Sequence, residues 1–274
     1  MIVFPNCKIN IGLSIIGKRS DGYHNLETVF YPLPFYDVLE VIHHSGQHED
    51  YTLTTSGIEI EGAAENNLCV KAYRLLKHDF PQLPSVKIHL HKAIPSGAGL
   101  GGGSADGAFM LMLLNDKFKL HLTEEKLLQY ALMLGSDCPF FIINKPSFAQ
   151  QRGEVMQPVQ LDLSGYHLML INPLIHVNTG WAFSQVDYSG SNNIKSIIEQ
   201  PVETWQGKLE NAFEQPVFEK YPEIKIIKNV LLKNGALFAS MSGSGSSVYG
   251  IFSNPADIDL NVFPSHYFVQ QLAL

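Results

Sequence analysis

Five glycines within seven residues, Gly97 to Gly103, are the densest chemistry-bearing feature of this 274-residue chain. They sit in Pro95-Ser96-Gly97-Ala98-Gly99-Leu100-Gly101-Gly102-Gly103-Ser104. Backbone N–H groups on such a turn, aimed together with a helix N-terminus, attract phosphate, because the free amides and the helix dipole both favour negative charge. Gly97-Ala98-Gly99-Leu100-Gly101-Gly102 also fits the dinucleotide pattern, but that pattern requires an acidic residue about 20 positions on, ending a second strand. The stretch near Asp116 to Leu122 follows a helical pattern and offers no such strand. A Walker A loop requires lysine before its last Ser or Thr, and here Gly103 precedes Ser104. The segment therefore reads as a phosphate loop of another kind, whose cation must come from elsewhere in the chain or from Mg²⁺. With only Arg19, Arg74 and Arg152 in the whole sequence, an arginine clamp is disfavoured.

The elements that would hold this loop can be read on either side of it. Val86 to His91 alternates strictly, as a half-buried strand does, and runs into Ile94-Pro95. The apolar run Ala108 to Leu114 follows as a mostly buried helix. Upstream, Cys7 to Ile16 reads as a strand, Gly17 to Gly22 as a turn, and Val29 to Leu33 and Asp37 to His43 as further strands. The polar stretch His44 to Asp50, which contains His48, reads as a solvated loop. Asn67 to Asp79 carries Leu68, Ala72, Leu75 and Leu76 at helical spacing behind an Asn66 or Asn67 cap. Thr123 caps an expected helix to Leu134, with Gly135 as its stop. Beyond residue 150 the texture changes: Tyr166 to Ile171, Leu237 to Ser240 and Ser247 to Phe252 read as strands, and Pro222 to Lys233 as a helix. A boundary in this region divides the chain into an expected 1–155 and 156–274.

Composition limits what such a loop can serve. The chain is 45% hydrophobic and 16% charged, with net charge −7; neither half carries a basic field, which disfavours nucleic acid and anionic membranes as partners. No apolar run reaches the ~18 residues of a membrane span, and the N-terminus lacks a targeting pattern, so a cytoplasmic protein is expected. Cys7, Cys69 and Cys138 have neither disulfide nor zinc spacing and are expected as thiols. His89 and His91 share a strand face, but no further ligands lie at a recognisable spacing, so no protein metal site is expected.

Three separated segments together resemble the GHMP kinases, the small-molecule kinases of galactose, homoserine, mevalonate and phosphomevalonate. They are Lys8-Ile9-Asn10-Ile11-Gly12-Leu13, Pro95 to Ala105, and Met241-Ser242-Gly243-Ser244-Gly245-Ser246-Ser247. Gly17 to Leu26, Glu65 to Leu68 and Gly135-Ser136-Asp137-Cys138-Pro139-Phe140-Phe141 are most similar to the branch that phosphorylates a cytidine-diphosphate-linked methylerythritol in the non-mevalonate isoprenoid route. The resemblance implies a two-domain α+β fold, with an N-terminal domain like ribosomal protein S5 domain 2 and a ferredoxin-like C-terminal domain. It also implies ATP and Mg²⁺, with transfer of the γ-phosphoryl group to the 2-hydroxyl of the acceptor.

Its residues follow. Asp137 and Lys8 are implied at the catalytic centre, and the chemistry agrees: a carboxylate can take the hydroxyl proton, and a nearby ammonium keeps that carboxylate ionised and offsets transition-state charge. An aspartate between Gly135-Ser136 and Pro139 could equally be a cap or turn residue. Pro95, Ser96, Gly97, Ala98, Gly99, Leu100, Gly101, Gly102, Gly103 and Ser104 are implied on the ATP phosphates, with Asn67 in the nucleotide pocket and Lys92 on adenine or phosphate. Asn10 alternates onto the face of Lys8. Together with Tyr23, His24, Phe183, Gly243 and Ser244 it is implied on the substrate side, His24 bonding cytosine and Phe183 stacking on it, although Trp181 lies two residues away. A rival family member acting on mevalonate or a sugar, and a non-catalytic nucleotide-binding module, are the alternatives.

Overall fold

The computed structural model describes residues 1–44, 50–186, 188 and 193–274; His48 and most of the expected polar loop fall outside these residues. In chain order the elements are β1 (Ile2–Val3), β2 (Asn6–Lys18), β3 (His24–Tyr36), β4 (Val38–His43), β5 (Tyr51–Gly57), α1 (Leu68–Asp79), β6 (Val86–Lys92), α2 (Gly102–Phe118), α3 (Glu124–Leu134), α4 (Cys138–Ile143) and β7 (Ser147–Gln151). There follow β8 (Val155–Pro158), β9 (His167–Asn172), α5 (Thr179–Gln185), α6 (Ile194–Ile198), α7 (Glu214–Lys220), α8 (Pro222–Lys233), β10 (Phe238–Met241), β11 (Val248–Phe252) and β12 (Phe268–Ala273). The expected α+β class is observed.

The chain folds into two compact units and passes between them more than once. One holds Met1–Cys7, Phe35–Ser96 and Gly101–Asn144; the other holds Lys8–Pro34, Gly97–Leu100 and Lys145–Leu274. The first unit has a sheet in the order β1-β4-β6-β5, with β4 antiparallel and β5 parallel to β6. In β6 the alternation turns Val86, Ile88, Leu90 and Lys92 inward, so a lysine occupies a place where the period otherwise sets an apolar side chain. On the outer row, His89 bonds Thr54 and Ser56, and His91 bonds Ser56. Helices α1, α2, α3 and α4 pack on one another. Asn67 caps α1 through its Oδ1, which accepts from Cys69 N at 2.9 Å, and Thr123 caps α3.

The second unit contains two sheets, β2-β3-β7-β8 and β10-β11-β9-β12. Leu13 and Ile15 of β2 share a core with Ile171, Ile224, Ile227, Leu231, Val248 and Phe252, which ties the first strand of the unit to its last sheet. Strand β2 continues through Gly17 to Lys18, so the turn expected from Gly17 begins two residues later. Every cysteine is a buried thiol.

Candidate functional site

In the second unit, polar side chains from four chain regions converge around Asn10. Lys8 and Asn10 are each 3% exposed on β2, and the Lys8 ammonium donates to Asn10 Oδ1 at 2.6 Å and lies 4.7 Å from the Phe30 ring centroid. Asn10 Nδ2 donates to Thr28 Oγ1, which in turn donates to Gly12 O. The Asn10 amide donates to Ser242 Oγ at 3.2 Å, Ser242 Oγ donates to Gly99 O at 2.8 Å, and Tyr249 donates to Asn10 O. One serine hydroxyl thus joins the start of the chain, the glycine loop and the second glycine turn.

The middle of the loop is built against that second turn. Lys8 N donates to Leu100 O, and Ser247 N to Ala98 O. Gly99 has φ +77, and a Cβ there would lie 2.0 Å from Ser242 O; only glycine permits this backbone contact. A Cβ on Gly243, at φ +56, would lie 3.4 Å from Asn10 Oδ1. Gly243 is held from below by Asn211, whose Nδ2 donates to Met241 O at 2.7 Å and Gly243 O at 2.8 Å. Ser244 Oγ is 3.0 Å from Thr179 Oγ1.

The aromatic residues separate into two groups. The His24 and Phe183 rings are stacked, with centroids 4.8 Å apart and planes 14° from parallel, and Phe183 packs edge-on against Phe213. Burial, with a smaller contribution from Lys18, holds the His24 imidazole below its ordinary pKa, favouring the neutral ring. Tyr23 is exposed and carries Arg152 over its face at 4.6 Å. Trp181 belongs elsewhere: it faces Tyr221, with Lys220 Nζ 3.8 Å from its ring centroid.

In the first unit, α2 begins at Gly102, six residues before the apolar run that marks it in sequence. Its cap, Gly101, is left-handed and supplies no side-chain bond to the first helical amides, leaving the first turn without a side-chain acceptor of its own. Helix α4, which starts at Cys138 directly after Asp137, packs against α2, and burial pushes the Cys138 thiol up to about 12. Asp137 occupies the cap position of α4, yet its side chain makes no capping bond, and a purely local cap role does not describe it.

Lys92 and two carboxylates that sequence reasoning missed lie behind this turn. Lys92, expected on adenine or phosphate, is buried, and its ammonium donates to Asp37 and to Asp106 Oδ2. Asp37, Asp106, Thr28, Ser242 and Asn211 are single polar residues whose partners are distant in sequence, and no local spacing signals them. Ser242 lies inside the third motif and is the one the motif could have indicated.

Two family profiles match the chain: GHMP kinases N terminal domain over residues 67–145, and GHMP kinases C terminal over residues 194–264. A Bacteroides fragilis protein named 4-diphosphocytidyl-2-C-methyl-D-erythritol kinase is 56% identical over 254 residues, 92% of this chain and 92% of its own length. The crystal structure of a 4-(cytidine 5'-diphospho)-2C-methyl-D-erythritol kinase, 29% identical, superposes with a TM-score of 0.82, covering 100% of this chain and 99% of that one. The Methanococcus jannaschii mevalonate kinase, 12% identical, shares the fold with a TM-score of 0.69 and coverage of 100% and 98%. On these matches the chain belongs to the GHMP kinase family of small-molecule phosphotransferases.

Proposed function

We propose that the chain transfers the γ-phosphoryl group of ATP to the 2-hydroxyl of 4-diphosphocytidyl-2-C-methyl-D-erythritol, a step of non-mevalonate isoprenoid synthesis. The observation that carries this reading is the packing of α4, which begins directly after Asp137, against α2. It joins the segment of the one aspartate that the family motif marks as catalytic to the helix whose uncapped first turn is suited to phosphate. The names of the relatives supply the acceptor.

In this reading the loop Pro95 to Ser104 binds the nucleotide phosphates through its amides, and Asn67 lines the nucleotide side. Asp137 accepts the proton of the acceptor hydroxyl as phosphoryl transfer proceeds, and Lys8 offsets developing negative charge. Asn10, whose side chain holds the Lys8 ammonium, orients it for that role. Mg²⁺ bound with the nucleotide would supply charge neutralisation at the phosphates. Ser104 offers a hydroxyl oxygen of the hard kind Mg²⁺ accepts, and is the residue of this loop that would hold it.

The stacked pair of His24 and Phe183 supports a pyrimidine site on these rings, since base–aromatic stacking contributes about 1–3 kcal/mol. Tyr23, Gly243 and Ser244 complete the acceptor side. The functional division at 155/156, an ATP-binding and catalytic part before it and a substrate-side part after it to which Tyr23 and His24 are added from the first, belongs to the same proposal.

The test is an acceptor panel with purified protein, ATP and Mg²⁺, following ADP release. Turnover with the diphosphocytidyl compound, and none with mevalonate or galactose, is expected. Equal turnover of mevalonate or a sugar would overturn the assigned acceptor, and nucleotide binding without turnover of any of them would favour a non-catalytic module.

A further inference from the structure

The first unit buries three charges together. Asp37 is 0% exposed, Lys92 2% and Asp106 3%. The Lys92 ammonium donates to Asp37 and, at 2.8 Å, to Asp106 Oδ2. The other oxygen of Asp37 accepts the amides of Ala93 at 2.7 Å and Ile94 at 2.9 Å. Among the described residues Asp106 Oδ1 has no hydrogen-bond partner, and burial pushes this carboxyl up to about 7.

Such a group is a poor source of stability. Removing three charges from water is costly, and apolar residues of similar volume commonly do as well or better. What it does achieve is geometric. Lys92 is the last residue of β6 and Asp106 lies on α2, so the group joins the strand that enters the glycine loop to the helix that leaves it. Asp37 fixes the two amides that follow Lys92. The first helical residue rests on the assembly: a Cβ on Gly102 would lie 2.9 Å from Ile94 Cγ2 and 3.3 Å from Lys92 Nζ.

We propose that Asp37, Lys92 and Asp106 are positioning residues for the phosphate loop, locking the end of β6 against the first turn of α2 so that the amides of Gly102, Gly103 and Ser104 stay aligned for a polyphosphate. This rests on the kinase reading above, and it makes Lys92 a support of the loop, not a contact to ATP.

The test measures the ATP dissociation constant and the separate KM values for ATP and for the acceptor. Lys92→Met strands two buried carboxylates and is expected to weaken ATP binding about tenfold or more, with the acceptor KM within about twofold of wild type. The triple variant Lys92→Met/Asp37→Asn/Asp106→Leu, which leaves no stranded carboxylate and keeps an oxygen for the Ala93 and Ile94 amides, is expected to recover most of that loss. A triple variant as weak as the single one would place Lys92 on the nucleotide and overturn the proposal. If Lys92→Met does not fold, Asp106→Ala and Asp106→Asn decide. The alanine variant, lacking an acceptor for the ammonium, should weaken ATP, and the asparagine variant, retaining one, should not; equal affinity in both would overturn the proposal. Failure of the wild type to bind ATP would instead overturn the kinase reading, and this proposal with it.

Discussion

Gly99→Ala is expected to damage the second unit through contacts that can be counted. The new Cβ would stand 2.0 Å from Ser242 O and 3.2 Å from Gly245 O, so backbone must move by about 1.4 Å or more to restore an ordinary contact. Holding alanine at φ +77 costs about 1–2 kcal/mol. Overpacking of this severity adds about 1–3 kcal/mol, and loss of the Ser242 to Gly99 hydrogen bond a further 0.5–1.5 kcal/mol or so. The sum, about 3–6 kcal/mol, lies in the tail of single-residue effects. For a unit of about 160 residues, at roughly 2–4 °C per kcal/mol, the melting temperature should fall by about 6–24 °C. Gly103→Ala is the control: its Cβ meets nothing within 4 Å and its φ is not positive. It should melt with the wild type while losing ATP affinity, because its methyl group enters the space proposed for phosphate. Calorimetry on both variants, with ATP titration, checks the contrast. Wild-type melting and wild-type ATP affinity in Gly99→Ala would refute the reasoning.

Other perturbations separate the remaining roles. Asp137→Asn should retain ATP binding and lose at least ~10²-fold in turnover, as expected for a positioned proton acceptor; stopped-assay ADP release measures it. Phe183→Ala should raise the acceptor KM by about 5- to 150-fold, the equivalent of one lost stacking contact, whereas Trp181→Ala should leave it near wild type in the same assay. The depressed pKa of His24 means that the folded state disfavours its protonation, so its contribution to stability is present above the unfolded value of about 6.5 and is lost as pH falls through the folded one; an NMR titration of the ring should give a midpoint below 6.5. Asp106 has the opposite sign: a carboxyl raised to about 7 costs stability as pH rises from about 4 to 7. Asp106→Asn should therefore gain melting temperature relative to wild type at pH 8 more than at pH 4.

Local elements were legible where local physics determines them. The Asn67 and Thr123 caps, the alternation of Val86 to His91 and the helix Pro222 to Lys233 each depend on neighbours within a turn or two. The start of α2 was not, because Gly102 and Gly103 read as helix breakers, while Gly102 packs against Ile94 with room that only glycine leaves. The six-residue α4 is too short for periodicity to show. The site followed the same rule. The glycine loop and the Lys8-Ile9-Asn10 motif are contiguous and readable. The bond that joins Asn10 to Ser242 spans 232 residues, and the pairing of Lys92 with Asp37 spans 55. That Phe183 stacks on His24 while Trp181 faces Tyr221 likewise turns on tertiary neighbours.

The interleaving of the two units has a consequence for synthesis. Leu13 and Ile15 emerge from the ribosome early, but they share their core with Ile171, Val248 and Phe252. At translation rates of about 5–20 residues per second, these two side chains wait roughly 10–30 s for Ile171 alone. An apolar first strand is thus exposed while most of its partners are still unmade, a window in which a chaperone that grips nascent hydrophobic segments would find β2 before the rest of the protein does. The same interleaving means that no single cut in the gene can deliver either unit intact, so fragment complementation should require both pieces to be made together.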